Sequence, residues 1–258
     1  MTKRKVILIS IDGMRSDGLL ECGNPFVMEM LKLGSYALDA KTVYPSVTLP
    51  CHMSLFHSVA PDRHGILSNT YVPQVRPIVG LADRLNQFEK KCAMFITWEN
   101  LRDLSRPDHL HTCLCMNLHK MEDTDRKITD KAIAYIQEEA PDFLFLYLGD
   151  TDEAGGHDNG WMSDIYLQVV NRAMGCIEKV YRSLPEGYTM IVLADHGGHD
   201  RSHGTDTPED MTIPVCICGP KFAEGKELQG TSILDIAPTV AKLLEVPKVK
   251  EWEGKELV

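Results

Sequence analysis

The chain has 258 residues, 43% of them hydrophobic, which is enough to bury a sizeable core in one large α/β domain or two small ones. One domain is the simpler interpretation. The formal charge of −10 argues against nucleic acid or an anionic membrane as a partner, because phosphates would be repelled unless a local basic patch were present, and the sequence has no such patch.

The first apolar run, Val6 to Ile11, is typical of a core strand. It is too short to span a membrane or to form the apolar part of a signal peptide, and no small-residue cleavage site follows it. We therefore expect a cytoplasmic protein. The run ends on a carboxylate, Asp12, and then Gly13. A lone aspartate at such a place is more often a turn or helix-cap residue than a ligand.

A helix over 26–33, opened by Asn24 and Pro25, and a strand near 36–39 are predicted next. The following stretch places Thr48 at the position of a helix cap, with Pro50 just inside an apolar helix. Thr48 could simply cap this helix. Alternatively, its hydroxyl lies where backbone N–H groups and the helix dipole favour an anion, and it could attack phosphorus there. The stretch alone leaves both interpretations open.

The segment 61–69 contains two residues to consider for the site, His64 and Asn69. His64 is interpreted as a structural turn residue rather than a ligand. Asn69 offers a neutral amide donor, which suits a phosphoryl oxygen because it does not compete for a metal.

The segment from Glu99 to Asp123 is the least patterned part of the chain, between a predicted strand over 92–96 and a predicted helix over 124–139. A further helix is predicted over 81–88. The histidines of the segment, His109, His111 and His119, are interpreted as surface or strand residues. Because loops on rigid scaffolds often determine specificity, we expect any substrate-specificity element here.

Two more apolar strands, 143–148 and 190–194, also end on acidic residues. The residues that follow them are Asp150, Asp152, Glu153 and His157 after the first, and Asp195, His196, His199 and His203 after the second. Open α/β sheets bind ligands at the carboxyl ends of their strands. Three such strands, counting the one before Asp12, make a single acidic, histidine-bearing cluster the better interpretation. Like charges so close need a cation, so we predict a divalent metal site.

The eight cysteines include no CxxC pair. Two pairs, Cys113 with Cys115 and Cys216 with Cys218, alternate as strand residues do, so that both members share one face. We predict buried reduced thiols rather than disulfides or a thiolate zinc site.

The remaining elements are a helix over 161–183, a strand over 213–218 and a last helix capped by Thr231 or Ser232. The sequence contains no internal repeat and no interdomain linker. Seven stretches now resemble the alkaline phosphatase superfamily, and most closely its nucleotide pyrophosphatase/phosphodiesterase branch: ISIDG at Asp12, PSVTLPCH at Thr48, HGILSN to Asn69, TDEAGGHDNG at His157, ADHGG at Asp195, His203-Gly204, and SILDIAPTVAKLL.

The resemblance implies a three-layer α/β/α sandwich with a mostly parallel sheet, in one catalytic domain over 1–258 with a short variable segment at about 99–123. It also implies two zinc-like ions, although manganese or iron could occupy the same ligands. The implied ligands are Asp12, Thr48, Asp195 and His196 for one ion, and Asp152, His157 and His203 for the other. Thr48 would be the nucleophile, and Asn69 would contact the phosphoryl group.

The sequence departs from the family pattern at two places. The family usually spaces the acid and histidine of the second site as DxxGH, whereas Asp152 and His157 are one residue further apart. Either a glycine is inserted in a turn or Glu153 is the ligand. Cys51 also stands where the branch often has Asn, and the chain lacks the length for the family's insertions.

We therefore predict a two-metal phosphodiesterase or phosphomonoesterase that acts through a phosphothreonine on small phosphate esters, including nucleotides. The alternatives are a phosphonate hydrolase or phosphomutase of the same superfamily, and a catalytically silent metal-binding protein. A mutase usually needs a further domain. A sulfatase is disfavoured because Cys51 is not followed by the CxPxR pattern.

Overall fold

The centre of the fold is a mostly parallel sheet. The computed structural model describes residues 4–258. The strands within that range are β1 (Lys5–Ile11), β2 (Ser35–Lys41), β3 (Cys92–Ile96), β4 (Thr112–Cys115), β5 (Phe143–Leu148), β6 (Tyr188–Ala194), β7 (Thr212–Cys218) and β8 (Lys226–Glu227). Their order is β4-β3-β5-β1-β6-β7-β2-β8, and β7 alone among these described strands runs antiparallel to its neighbours.

Helices cover both faces of this sheet and complete the predicted α/β/α sandwich. They are α1 (Ser16–Glu21), α2 (Pro25–Leu33), α3 (Thr48–His57), α4 (Pro61–His64), α5 (Leu81–Asn86), α6 (Thr124–Glu139), α7 (Asp164–Ser183), α8 (Pro208–Met211) and α9 (Ile236–Leu243). One group packs against α7 (α1, α2 and α6), and another packs around α3 (α4, α5 and α9). Over residues 4–258, we find no helix with the length and apolar content that crossing a membrane requires.

The strand register brings the acidic residues to one edge of the sheet. Ile11, the last residue of β1, pairs with Leu148 at the end of β5 and with Ala194 at the end of β6. Every residue of these three strands except Lys5 is buried, as expected for the centre of a parallel sheet. The residues that follow the three strands therefore emerge side by side.

The predicted core elements are confirmed, with small differences at their ends. β3, β5 and α6 have the predicted bounds, and β1, β6 and β7 begin one or two residues earlier. α7 begins at Asp164 because the Ser163 side chain caps it by accepting the Tyr166 backbone N–H. Ser232 caps a short 3₁₀ turn, Ile233–Asp235, which leads into α9. α1, α4, α8 and the short strand β8 were not predicted, and β4 was indicated only by the alternation of Cys113 and Cys115.

The prediction of buried thiols is right for five of the eight cysteines and wrong for two, and the eighth, Cys176, is half-buried. Cys22, Cys51, Cys92, Cys216 and Cys218 are buried, and all eight cysteines are free. Cys113 and Cys115 do share one face, but that face is exposed because β4 is the edge strand of the sheet. Alternation shows which residues share a face of a strand and does not show which face is covered.

His64 has the structural role that the sequence suggested. It is buried at the end of α4, where Nδ1 accepts the Ile66 backbone N–H at 3.1 Å and Nε2 lies 3.0 Å from Ser54 Oγ on α3. An imidazole that accepts at Nδ1 is neutral and carries its proton on Nε2. Burial, together with the nearby His57, lowers the pKa of His64 to about 4.

This buried neutral imidazole predicts a loss of stability in acid. Unfolded His64 takes up a proton below pH 6.5, whereas the folded residue does so only near pH 4, so the free energy of unfolding falls as the pH drops between these values. Between pH 7 and pH 4, the free energy of unfolding of the wild type should fall by about 2–3 kcal/mol more than that of His64→Gln. Denaturant unfolding at both pH values measures this difference, with His111→Gln as the exposed control. Equal acid losses in wild type and His64→Gln would contradict this interpretation.

Candidate metal centre and active site

The first cluster of candidate ligands joins the ends of β1 and β6. His196 Nε2 lies 3.2 Å from Asp12 Oδ1 and 3.4 Å from Asp195 Oδ2. All three side chains are buried, and one candidate ligand atom from each lies within 4.8 Å of the others. The structure thus brings together three of the four residues that the resemblance assigned to the first ion.

The second cluster contains the residues assigned to the other ion. His157 Nε2 lies 3.4 Å from Asp152 Oδ2, and His203 Nε2 lies 3.8 Å from Asp152 Oδ1. The His203 ring stacks on the His196 ring, with the ring centroids 3.9 Å apart and the planes at 9°. This stack places the two clusters next to each other.

A π-helix explains the unusual spacing of Asp152 and His157. Residues Thr151–His157 form one turn with i→i+5 geometry, so two residues five apart lie on the same face. The additional residue is accommodated in this turn. Glu153 instead lies at the rim, with Oε1 3.6 Å from His119 Nδ1. The structure therefore brings Asp152, and not Glu153, into the second cluster.

Each of the three clustered histidines is held by a hydrogen bond at its Nδ1. Nδ1 of His196 pairs with the Gly197 carbonyl at 2.7 Å, Nδ1 of His203 with the Ser46 carbonyl at 2.8 Å, and Nδ1 of His157 with the Arg201 carbonyl at 3.0 Å. Each Nδ1 therefore carries the proton, and each Nε2 faces the carboxylates. Metal-binding histidines are held in this way, because a hydrogen bond at one ring nitrogen fixes the tautomer and aims the other.

The carboxylates and imidazoles of the clusters strongly shift one another's pKa values. Burial would lower the pKa of His196, but Asp195 and Asp12 raise it to about 10. Burial raises the pKa of Asp195 and of Asp152, and the Asp12 charge raises both further. The hydrogen bond with Asp152 raises the pKa of His157 to about 9. Additional positive charge close to these buried carboxylates would therefore stabilise their ionised forms.

Thr48 is the first residue of α3 and does not cap it. Val47 occupies the N-cap position, and the cap makes no side-chain hydrogen bond, so the expectation that Thr48 sits at the cap is wrong by one residue. Its Oγ1 lies 3.3 Å from His196 Nε2 instead. The side chain is buried yet lines the same cavity as Asp12 and Asp152. The hydroxyl is thus directed at the clusters.

Asn69 is held beside Thr48 by the start of α3. Its Oδ1 accepts the Leu49 backbone N–H at 3.0 Å, which leaves Nδ2 as the atom that can donate into the cavity. Pro50 has no N–H, and the Cys51 N–H bonds to Val47. The helix end therefore offers fewer amide donors than the sequence interpretation assumed, and the Asn69 amide is the better placed donor.

Two supporting residues were missed from the sequence. The Tyr147 hydroxyl donates to Asp12 Oδ2, so that Asp12 presents Oδ1 to the cluster. His52 is fully buried, with Nδ1 2.8 Å from the Thr48 carbonyl and 3.4 Å from Asp195 Oδ2. Its Nε2 lies 2.9 Å from Ser10 Oγ on β1. The contacts of Tyr147 with Asp12, and of His52 with Ser10 and Asp195, join residues that are distant in sequence, so no local pattern indicates them.

Two other histidines pair with acids outside the clusters. His199 Nδ1 lies 2.8 Å from Asp210 Oδ1, and His109 Nδ1 lies 2.7 Å from Asp83 Oδ1. His119, in contrast, lines the cavity that contains Thr48 and both clusters' residues. The interpretation of His119 as a plain surface residue is therefore incomplete, because it is exposed at the rim of the site.

The clustered residues fit divalent cations. Asp12 Oδ1, Asp152 Oδ1 and Asp195 Oδ2 are buried oxygens without a hydrogen-bond partner among the described residues. Unpaired buried carboxylate oxygens are costly. Those of Asp12 and Asp152 lie close to imidazole Nε2 atoms, and both residues line a cavity of about 250 Å³. Oxygen and imidazole donors at these separations are the ligand set of zinc and of similar ions.

Two family models match the chain. The model described as "Type I phosphodiesterase / nucleotide pyrophosphatase" matches residues 6–98, and that of the "Metalloenzyme superfamily" matches residues 112–248. The first match includes Asp12, Thr48 and Asn69, and the second includes the other five candidate site residues. The superfamily implies divalent metal ions.

Individual proteins are similar in sequence to part of this chain. Human ectonucleotide pyrophosphatase/phosphodiesterase family member 1 is 25% identical over 214 residues, which are 74% of this chain and 23% of the relative. A 2,3-bisphosphoglycerate-independent phosphoglycerate mutase from Methanosarcina acetivorans is 30% identical over 145 residues, 54% of this chain and 27% of the mutase. The chain thus spans about a quarter of the length of these relatives.

The fold is shared with a solved structure. Murine ectonucleotide pyrophosphatase/phosphodiesterase 5, an inactive threonine-to-alanine variant in complex with AMP, superposes with a TM-score of 0.81 at 16% identity. The superposition covers 95% of this chain and 96% of that one. From these matches, the chain belongs to the metalloenzyme superfamily known as the alkaline phosphatase superfamily, with its resemblance to the nucleotide pyrophosphatase/phosphodiesterase branch confirmed.

Proposed function

We propose that this chain is a two-metal phosphoric ester hydrolase of the phosphodiesterase type and that Thr48 is its nucleophile. The proposal rests chiefly on the position of Thr48 Oγ1. It lies 3.3 Å from His196 Nε2 in the cavity where residues of both acidic clusters meet. Metal coordination is one way in which a hydroxyl is activated for nucleophilic attack, and a hydroxyl beside candidate metal ligands would permit it.

The two clusters would each hold one ion. Asp12, Asp195 and His196, with Thr48, form the first set, and Asp152, His157 and His203 form the second. Mixed imidazole and carboxylate donors favour zinc, and manganese or iron accept the same ligands. When bound, such ions lower the pKa of an oxygen nucleophile and offset negative charge on the phosphoryl group and the leaving oxygen.

The protein's own residues position the reacting atoms. Thr48 Oγ1 attacks phosphorus and loses its proton, while the ester bond on the opposite side breaks and the departing oxygen gains a proton. Asn69 Nδ2 donates to a non-bridging oxygen, held in place by the Leu49 N–H on its own Oδ1. Water then attacks the phosphothreonine, which releases the phosphate product and restores the Thr48 hydroxyl.

We propose small phosphate esters, nucleotides among them, as substrates. The support is the match to the nucleotide pyrophosphatase model and the AMP complex of the murine protein with the same fold. That murine protein is inactive when one threonine is replaced by alanine, which supports a threonine-based mechanism here. The cytoplasmic location and the exclusion of nucleic acid and membrane partners stay predictions from the sequence.

A small substrate panel tests the proposal. The purified protein, with zinc or manganese added, is assayed on bis-p-nitrophenyl phosphate, p-nitrophenyl phosphate, a nucleotide p-nitrophenyl ester and phosphonoacetate. We expect turnover of a diester, with the nucleotide ester preferred. Turnover of phosphonoacetate alone would favour a phosphonate hydrolase instead. Metal binding with no turnover of any compound would indicate a catalytically silent protein.

A further inference from the structure

The buried indole of Trp161 is bonded to the segments that follow β1 and β6. Trp161 lies between the π-helix and α7 and is 7% exposed. Its Nε1–H donates to the Gly13 carbonyl at 2.8 Å, and its backbone N–H donates to the Asp200 carbonyl at 2.8 Å. Gly13 directly follows Asp12, and Asp200 precedes His203 by three residues. These two hydrogen bonds therefore tie the segment after β5 to segments that carry ligands of both clusters.

The same indole lies directly on two glycines. A Cβ at Gly156 would lie 2.5 Å from Cζ2 of Trp161, and a Cβ at Gly198 would overlap Cε2 of the same ring. Neither glycine has a positive φ, so the indole, and not the backbone conformation, excludes a side chain at these positions. Gly156 directly precedes His157, and Gly198 follows His196 by two residues. Close packing of the ring on both backbones fixes how these two ligand-bearing segments approach each other.

The indole also contacts both imidazoles of the second cluster. The His157 ring meets it edge-on, with the ring centroids 5.3 Å apart and the planes at 82°, and the His203 ring lies 5.9 Å away at 60°. Each imidazole is held by one hydrogen bond at Nδ1, and one hydrogen bond does not by itself fix the tilt of a ring. An aromatic neighbour restricts this tilt, so that each Nε2 stays directed at Asp152.

We infer that Trp161 is a positioning residue for metal binding, which sets the geometry of the second cluster and joins that cluster to the first. The inference rests on the proposed function and deepens it. Replacing a residue that orients metal ligands typically lowers metal affinity by about 10- to 100-fold. Trp161 contacts side chains of the second cluster, whereas its contacts with the segments of the first are to the backbone of Gly13 and Gly198. Its loss should therefore weaken binding of the second ion more than that of the first.

Competition for zinc tests the inference. The zinc-loaded protein is titrated with a chromophoric chelator, which gives a dissociation constant for each of two ions, and His157→Ala identifies the constant that belongs to the second cluster. Trp161→Phe keeps an aromatic ring but removes the indole N–H and part of the packing. For this variant we expect the second constant to rise by about tenfold or more and the first by less than about threefold.

Trp252→Phe is the matched control. Trp252 is also buried, at 3% exposed, and its Nε1–H also donates to a backbone carbonyl, that of Val79 at 2.9 Å. Val79 lies just before α5, in a segment that carries no candidate ligand. Loss of buried packing should lower the melting temperature of both variants, whereas only Trp161→Phe should change the zinc constants.

An exchange of side-chain volume tests the contact with Gly198. Gly198→Ala alone should raise the second constant by about tenfold or more, because the new methyl group overlaps the indole and displaces it from the imidazoles. In the Trp161→Leu background the same substitution should raise that constant by less than about threefold, since the overlapping atoms are absent.

The outcomes separate this inference from the proposed function. If the wild type binds two zinc ions and Trp161→Phe has the same constants, or if Gly198→Ala has the same effect in both backgrounds, the inference is overturned and the proposed function stands. If the wild type binds one zinc ion or none, the two-metal proposal fails, and this inference with it.

Discussion

Thr48→Ala is expected to reduce turnover of the best diester by roughly 10³-fold or more, because it removes the only proposed nucleophile. The substitution should leave folding and metal content largely intact. Thr48 makes no capping hydrogen bond to α3, and alanine is favourable inside a helix. Steady-state kinetics, together with metal analysis and a thermal unfolding scan of the same sample, measure these effects.

A hydroxyl-retaining variant provides the control for this experiment. Thr48→Ser keeps the attacking oxygen and should retain activity within about 100-fold of the wild type. In an acid-quenched reaction, mass spectrometry should find a phosphoryl adduct on the peptide that contains Thr48 in the wild type, and none in Thr48→Ala. Unchanged turnover in Thr48→Ala would exclude the covalent mechanism and leave direct attack by water.

Most of the fold and the outline of the site could be predicted from the sequence, because both depend on short-range patterns. Apolar runs of core strands end where the sheet ends, so a carboxylate directly after such a run lies at the carboxyl edge. Asp12 and Asp195 were located in this way, and the register of β1 with β6 explains why they meet. The resemblance then supplied roles that spacing alone left open, above all for Thr48.

The remaining features depend on contacts that no local pattern encodes. Tyr147 is a strand residue like its neighbours until the fold brings its hydroxyl to Asp12. His52 contacts Asp195, which is far from it in the sequence. The π-helix at Asp152 cannot be recognised from the sequence, since one additional residue between acid and histidine could equally form a loop. The edge position of β4 likewise decided the exposure of Cys113, which alternation could not show.

Asp195→Asn should strongly reduce activity and yet stabilise the protein in the presence of a chelator. Asp195 is fully buried, its Oδ2 has no hydrogen-bond partner among the described residues, and burial with the Asp12 charge raises its pKa. Its ionised form is therefore costly when no cation is bound, and the isosteric amide removes that cost. We expect the melting temperature in EDTA to rise by about 3 °C or more. Turnover with zinc should fall by at least about 100-fold.

In the presence of zinc, by contrast, the same variant should be less stable than the wild type. Wild type gains stability when a cation binds the folded protein, and Asp195→Asn gains much less, so the order of the two melting temperatures should reverse between EDTA and zinc. Asp235→Asn is the control for replacing a buried aspartate that is fully paired. Its oxygens accept the Ser232 and Lys255 backbone N–H groups, so the substitution should destabilise the protein equally in both buffers. If Asp195→Asn also melts below wild type in EDTA, the acidic edge of the sheet is not a site of unfavourable charge, and the metal assignment loses its physical basis.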